Sequence, residues 1–134
     1  MLKDIDVESL DGVGVALVNE PNAEGVMVWN VYVVNYSMLQ IEGVLVSSKG
    51  YGTINGEAKT TSVLRTFLDT IDALDYSKIE PIQEELFVLT NEYWLSYYAQ
   101  GKMYERKFIF KENSVQQETL EKVGLINMPG ILLL

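Results

Sequence analysis

The side chains available for chemistry in this chain are carboxylates, lysines, arginines, serines, threonines and tyrosines, because histidine and cysteine are both absent. Their absence removes the commonest zinc ligands, the thiol nucleophile and the side chain that titrates near neutral pH. The main acidic concentration comprises Asp69, Asp72, Asp75, Glu80, Glu84 and Glu85. Two carboxylates can act as general acid and base, but this spacing selects no pair. The sequence therefore assigns no catalytic residue, metal site or cofactor, and leaves an enzymatic role open.

Two further stretches begin like ligand-binding loops. Asp4 to Glu8 starts like a calcium loop, but the sixth position, which needs glycine, is Ser9, and the closing glutamate is missing. Gly50 to Gly56 is glycine-rich, yet it matches neither of the two nucleotide-binding glycine patterns. We interpret the first stretch as a solvated arm and the second as a turn between strands.

A basic and aromatic segment offers the best candidate binding site. Its basic residues are Lys102, Arg106, Lys107 and Lys111. Trp94, Tyr98, Tyr104 and Lys107 are the residues to which we assign a binding role, since aromatic rings beside cations can stack a base or hold an anionic partner. The alternative is structural, with Lys107 resting on Trp94 as an internal cation–π pair.

Length and charge bound the remaining possibilities. The chain has 134 residues, 48% of them hydrophobic, which predicts one folded domain over residues 1–134. A net charge of −9 opposes general nucleic-acid binding. The chain starts with no signal-peptide pattern and contains no apolar run long enough to span a bilayer. We expect a cytoplasmic protein that does not enter membranes.

The first half of the chain reads as strands. Val26 to Tyr36 is apolar at both alternating sets of positions, which is typical of a central strand covered on both faces. Ile41 to Ser48 is its expected hairpin partner, and Asn55-Gly56 is a turn signal.

The second half contains the clearest element, a hairpin of Asn91 to Tyr98 with Met103 to Phe110 around a turn at Gln100-Gly101. This turn predicts five cross-strand pairs: Tyr93 with Phe108, Trp94 with Lys107, Leu95 with Arg106, Tyr97 with Tyr104, and Tyr98 with Met103. Ile79 to Leu89 is expected to supply a strand before the hairpin, interrupted at Pro81.

Two stretches decide between fold classes. Residues 62–74 fit a helical stripe, whereas the neighbouring threonines favour a strand over about Lys59 to Leu68 followed by an acidic loop. Near the end, Ser114 to Gln117 resembles a capping box, which predicts a short helix over about 115–123. The apolar tail, Leu125 to Leu134, is expected to be a last strand, with an oligomer contact or a disordered end as alternatives.

These elements predict a mainly β protein. The expected fold is an antiparallel two-sheet β-sandwich of immunoglobulin-like type, with seven or so strands and a short C-terminal helix. The alternative is an α+β fold in which residues 62–74 form a helix on one sheet face.

Several segments resemble a family of short, uncharacterised bacterial proteins. They are Trp29 to Tyr32, Ser48 to Tyr51, Lys59 to Ser62, Asn91 to Tyr93 and Lys107 to Phe110. Some members of that family bear the name of a phenylalanyl-tRNA synthetase subunit. A synthetase site needs a much larger catalytic domain, and none of its motif residues is matched here, so the resemblance implies a fold and no site residue.

The function we expect is a non-catalytic module that binds a protein partner or, as a homodimer, itself, through the aromatic hairpin or the apolar tail. The alternative is a small-ligand-binding domain with an aromatic-lined pocket. An exposed apolar patch would favour the first, and a concave cavity with convergent polar groups would favour the second.

Overall fold

A computed structural model describes residues 12–134, so the stretch Asp4 to Glu8 lies outside the described residues. The strands are β1 (Val13–Pro21), β2 (Met27–Asn35), β3 (Ile41–Ile54), β4 (Glu57–Thr60), β5 (Leu64–Ile71), β6 (Asp75–Pro81), β7 (Thr90–Ala99), β8 (Lys102–Phe110), β9 (Glu121–Val123) and β10 (Met128–Leu133). Sheet I has the order β6-β2-β1-β10-β9. In sheet II, β7 lies between β8 and β3, and the other edge of β3 is shared by β4 and β5. The predicted two-sheet antiparallel sandwich is confirmed.

The core lies between the two sheets and follows from the alternation of each strand. Val13, Val15 and Leu17 of β1 point into it, and so do Tyr93 and Leu95 of β7; all five are buried. Successive residues of a strand face opposite sides, so the residues between them lie on the outer faces. The expectation that the second strand is central is confirmed, since β2 pairs with β1 and β6.

The aromatic hairpin forms as predicted. Strands β7 and β8 pair in the expected register, including Trp94 opposite Lys107 and Tyr97 opposite Tyr104. The turn residues Gln100 and Gly101 both have positive φ, 52° and 78°. Such two-residue turns match the twist of the flanking strands, which explains why the register could be read from the turn.

The expected hairpin between Val26 to Tyr36 and Ile41 to Ser48 is wrong, because the chain crosses from sheet I to sheet II between them. The buried Asn35 makes this crossing. Its Nδ2 donates to the carbonyls of Leu39 (2.8 Å), Asp72 (3.0 Å) and, more distantly, Ile71 (3.4 Å). Its Oδ1 accepts from the backbone N–H and the hydroxyl of Ser37. Hydrogen bonds from the Asn35 side chain to backbone groups thus hold this connection in place of the strand pairing of a hairpin.

Residues 62–74 contain the strand β5, so the alternative in which this stretch forms a helix is wrong. Leu68 packs against the core while the preceding residue, Phe67, is exposed, which is strand alternation. Asp69 has φ of 62° and cannot continue a helix. The alternative of one strand over Lys59 to Leu68 fits better, but the chain breaks between β4 and β5, where the Thr61 hydroxyl accepts a hydrogen bond from the Gly50 N–H over 2.7 Å.

The predicted helix over about 115–123 is also wrong, since Gln117–Thr119 forms a single turn of 3-10 helix and β9 follows it. The Ser114 hydroxyl donates to the Lys111 carbonyl instead of capping the next turn. Gln116, which precedes the turn, is extended. The strand expected over Ile79 to Leu89 ends at Pro81, and a 3-10 turn (Glu84–Val88) follows. Within residues 12–134, no helix is long and apolar enough to cross a membrane.

The apolar tail is the strand β10, which confirms the predicted last strand. It pairs with β1 from Val15 opposite Leu133 to Val18 opposite Gly130. Glycine is needed at this contact, because a Cβ at Gly130 would lie 2.3 Å from the Leu17 carbonyl oxygen. The two strands therefore approach more closely than any residue with a side chain would allow at that point.

Candidate binding face and side cavity

Three of the four residues predicted for binding lie together on the outer face of sheet II. Trp94 and Tyr98 lie four positions apart on β7, so they share a face, and they are 43% and 47% exposed. Lys107 lies opposite Trp94 on β8, with its Nζ 5.3 Å from the centre of the indole ring. The predicted cation–π contact is thus present, on a surface that a partner can reach.

The fourth predicted residue, Tyr104, lies on the other face of the same sheet. Its ring stacks on buried Tyr97 with centroids 5.7 Å apart and an interplanar angle of 23°. Lys102 lies 5.6 Å from the centre of the Tyr104 ring. Tyr104 therefore belongs to the rim of the core, because it lies three positions from Lys107 on β8 and its cross-strand partner is the inward-facing Tyr97, not Tyr98.

The outer face of sheet II carries more apolar residues than the hairpin alone predicts, and we call it the open face. Its exposed apolar residues are Leu45, Phe67, Trp94, Tyr98, Met103 and Ile109. Leu45 and Phe67 face each other across β3 and β5, and sequence reasoning missed both. Phe67 could be assigned to this face only if residues 62–74 were interpreted as a strand, and the helical spacing of the apolar residues in that stretch concealed the strand.

The outer face of sheet I differs, because it carries a second small core. The buried residues there are Ala16, Val18, Val34, Val123 and Ile126. Partly buried side chains pack over them, including Tyr32, Tyr36 and Leu132. The Tyr36 hydroxyl donates to the Gly124 carbonyl over 2.9 Å, which ties this cover to the end of β9. Among the described residues, the outer face of sheet I therefore exposes one large apolar side chain, Tyr76, against six on the outer face of sheet II.

Strand register arranges the open face in rows that run across the sheet. The first central row is Phe67, Leu45, Ser96 and Glu105, and the second is Arg65, Ser47, Trp94 and Lys107. A row at one end contains Glu42, Tyr98 and Met103, and a row at the other end contains Lys49, Glu92 and Ile109. In each central row a large apolar side chain lies beside a serine. Raised and recessed positions are therefore neighbours on this face, and we call this pattern stepped.

No protein-family model matches the chain, and no curated protein matches it in sequence. The resemblance to short bacterial proteins therefore stays a prediction. A sandwich fold hosts many unrelated functions, so the function of this chain depends on its surface and its cavities.

The other stretches considered from sequence have structural roles in residues 12–134. The glycine-rich stretch is the end of β3 and a turn, in which Asn55 and Gly56 have φ of 53° and 81°. The acidic residues are dispersed; Glu84, for example, accepts a hydrogen bond from the Trp29 indole. Among the described residues, no three acidic side chains are grouped in a way that could hold a metal ion.

A side cavity of about 350 Å³ opens between the two sheets where β6 faces the β4–β5 connection. Its walls come from four places in the chain, namely 48–50 of β3, 61–64, 80–86 and the start of β7. Lining side chains with polar atoms include Ser48, Ser62, Gln83 and Asn91. Only one aromatic ring, that of Tyr93, lines the cavity, so the lining is less aromatic than the small-ligand alternative expects.

Glu80 and Tyr93 meet at this cavity because of a β-bulge. Val31 pairs with Glu80 and Tyr32 with Lys78, so Ile79 is an extra residue on β6. Bulges re-aim side chains, and here Ile79 is buried in the core while the next residue, Glu80, also points inward. The Tyr93 hydroxyl donates to Glu80 Oε2 over 2.8 Å.

The tyrosine of this pair is a hydrogen-bond donor and not a base. Burial, followed by the neighbouring Glu80 carboxylate, raises the pKa of Tyr93 well above its ordinary value. Tyr32 has the same arrangement at the surface of sheet I, where burial and its hydrogen bond to Glu20 raise its pKa. A neutral phenol of raised pKa holds a carboxylate in place, which suits binding better than proton abstraction.

Stability at alkaline pH follows from the raised pKa of Tyr93. Above about pH 10 the unfolded chain releases a tyrosine proton that the folded protein keeps, so the free energy of unfolding falls as pH rises. The stabilisation is complete below pH 10 and is lost towards the higher folded-state pKa. Each such tyrosine contributes a slope of up to about 1.4 kcal/mol per pH unit.

Urea unfolding between pH 8 and pH 11 measures this slope. We expect Tyr93→Phe to be less stable than the natural chain at pH 8, where its hydrogen bond to Glu80 is missing, and to lose stability more slowly above pH 10. Identical slopes for the two proteins would contradict the role of Tyr93.

Proposed function

We propose that this chain is a non-catalytic cytoplasmic interaction module that self-associates, with the open faces of two copies packed against each other. The observation that carries the proposal is the stepped row pattern of the open face. Contiguous exposed apolar surface of this kind marks interaction sites in soluble proteins. The occupant we infer is a second copy, because the two central rows complement each other.

Consider a two-fold axis that lies in the plane between the two facing sheets, runs across the strands and passes level with Leu95 and Arg106. This axis places the first central row of one copy against the second central row of the other. Glu105 of one copy then faces Lys107 of the other, and Trp94 faces Ser96. On the neighbouring strands, Leu45 faces Ser47, and Phe67 faces Arg65. Each contact therefore joins a large side chain to a small one, opposite charges, or a cation to a ring.

The outer rows complement each other under the same axis. Met103 of one copy faces Ile109 of the other, which joins two apolar side chains. Tyr98 faces Glu92, so a phenol hydroxyl meets a carboxylate, and Glu42 faces Lys49. One symmetry operation thus satisfies four rows, as an isologous interface requires.

The charges of the open face support the same occupant. Glu42, Glu92 and Glu105 balance Lys49, Arg65 and Lys107 within the paired rows. The whole chain has a net charge of −9, which makes two copies repel at long range. A face with balanced charges does not add to that repulsion. Salt should strengthen the association, because it screens the long-range repulsion between the two negatively charged copies.

A charge-reversal experiment tests the register of this dimer. In Glu105→Lys each copy presents a lysine to Lys107 of the other copy, and in Lys107→Glu each presents a glutamate to Glu105. The repulsion occurs twice per dimer, and we expect self-association to weaken by at least about thirtyfold, equivalent to roughly 2 kcal/mol. An equimolar mixture of the two variants restores opposite charges at both contacts, so we expect a heterodimer.

Native mass spectrometry reads out the result once one variant is labelled with nitrogen-15, because Glu and Lys are nearly equal in mass and the label is what distinguishes a heterodimer from the two homodimers. Glu121→Lys and Lys122→Glu are the matched controls, since both residues are exposed on β9 of sheet I, and these variants should dimerise like the natural chain. A natural chain that is monomeric at high micromolar concentration would overturn self-association. A mixture that stays monomeric would overturn the proposed register.

A further inference from the structure

Glu80 has binding capacity that its own chain does not use. Tyr93 donates to its Oε2, while Oε1 accepts no hydrogen bond from residues 12–134. No buried side-chain oxygen or nitrogen in that part of the chain lacks a partner, so Oε1 is accessible to solvent, and Glu80 itself lines the cavity. An accessible carboxylate oxygen on a fixed side chain can accept a hydrogen bond from a ligand.

The other charged residue beside the cavity does not neutralise Glu80. Lys49 lies on the opposite face of β3, where its Nζ is 5.7 Å from the centre of the Tyr51 ring. Among the described residues no cation forms an ion pair with Glu80, which makes its carboxylate the one formal charge that the inner wall presents. A positively charged group is therefore the complementary ligand.

The remaining lining indicates what carries that positive charge. Leu64, Ile82 and Leu86 provide apolar wall, and the hydroxyls of Ser48 and Ser62 provide neutral polar atoms. A volume of about 350 Å³ is at the lower end of the range for small-molecule sites. A bare metal ion would need several oxygen ligands, and one carboxylate with aliphatic neighbours suits an organic cation better.

We propose that the side cavity binds a small organic cation, an ammonium or guanidinium group on a short aliphatic chain, with Glu80 as its counter-ion. The charged group donates to Glu80 Oε1, and the aliphatic part lies against Leu64 and Leu86. Tyr93 acts as a positioning residue, because its hydrogen bond to Oε2 holds the carboxylate towards the cavity. This site is separate from the open face and does not depend on self-association.

A pair of probes of equal shape tests the proposal. The natural chain, labelled with nitrogen-15, is titrated with n-butylammonium and separately with n-butanol, and the amide signals of Ser48, Ser62 and Asn91 are followed by NMR. We expect saturable shifts with the amine in the millimolar range and at least about tenfold weaker binding of the alcohol. Equal effects of the two probes, or no saturable shift with the amine, would overturn the proposal.

Variants then assign the effect to Glu80. Glu80→Gln keeps an acceptor for Tyr93 but removes the charge, and we expect at least about tenfold weaker amine binding. Glu85→Gln is the matched control, since that exposed carboxylate lies in the next turn outside the cavity, and it should bind the amine normally. Unchanged binding in a folded Glu80→Gln would refute the assignment; if that variant does not fold, the amine and alcohol comparison still decides.

Discussion

Replacing Asn35 by alanine is expected to lower the free energy of unfolding by about 3–5 kcal/mol, one of the two largest effects we predict. Asn35 is fully buried, and its side chain is the partner of backbone groups from two segments, residues 37–39 and residues 71–72. Alanine would remove the acceptor of the buried Ser37 N–H and hydroxyl and the donor to the Ile71 and Asp72 carbonyls, while the Leu39 carbonyl would keep its hydrogen bond from the Ser37 hydroxyl. Each unpaired buried group costs about 1–3 kcal/mol.

Asn22→Ala provides the control for this prediction. The Asn22 side chain also accepts two backbone hydrogen bonds, from Glu24 and Val26, but it does so at the surface, where water can replace it. We expect a loss of about 1 kcal/mol or less. Urea unfolding of both variants gives the comparison, and similar losses would show that the crossing between the sheets does not depend on Asn35.

The second large effect is expected for Gly130→Ala, which should destabilise the protein by about 3 kcal/mol or more. The added Cβ would lie 2.3 Å from the Leu17 carbonyl oxygen and 3.0 Å from the Val18 Cα. Both are backbone atoms of β1, so no side-chain rotation relieves the overlap, and β10 must move away from its neighbour.

Gly124→Ala is the matched substitution, because its Cβ would meet only the Tyr36 side chain at an ordinary contact distance of 3.5 Å. Thermal and urea unfolding should place this variant close to the natural chain. If Gly130→Ala were equally well tolerated, the close approach of β1 and β10 would not be a requirement of the fold.

The hairpin could be predicted from sequence because all its determinants are local. Gln100 and Gly101 set the turn, and the alternation of the flanking residues then sets every pair from Asn91 opposite Phe110 to Ala99 opposite Lys102. The same alternation indicated that Trp94 and Lys107 share a face. It also places Tyr104 on the other face, opposite Tyr97.

The remaining elements depend on contacts that are distant along the chain. The crossing after β2 rests on bonds between Asn35 and Asp72, and β5 becomes a strand because β3 offers it an edge. Local helical periodicity in residues 62–74 could not reveal that edge. The open face needed the register of β3 with β5 and β7, and the side cavity needed the bulge that turns Glu80 inward.

The pairing of β1 with β10 has a consequence for how the chain folds. Val15 is paired with Leu133, so β1 meets this neighbour only after all the strands between them have been made. Sheet II is drawn entirely from residues 41–110 and can assemble earlier. Pairings between distant segments slow folding, because the intervening loop must close first. Docking of β10 is therefore expected to be the late step, and until it occurs one edge of β1 remains bare.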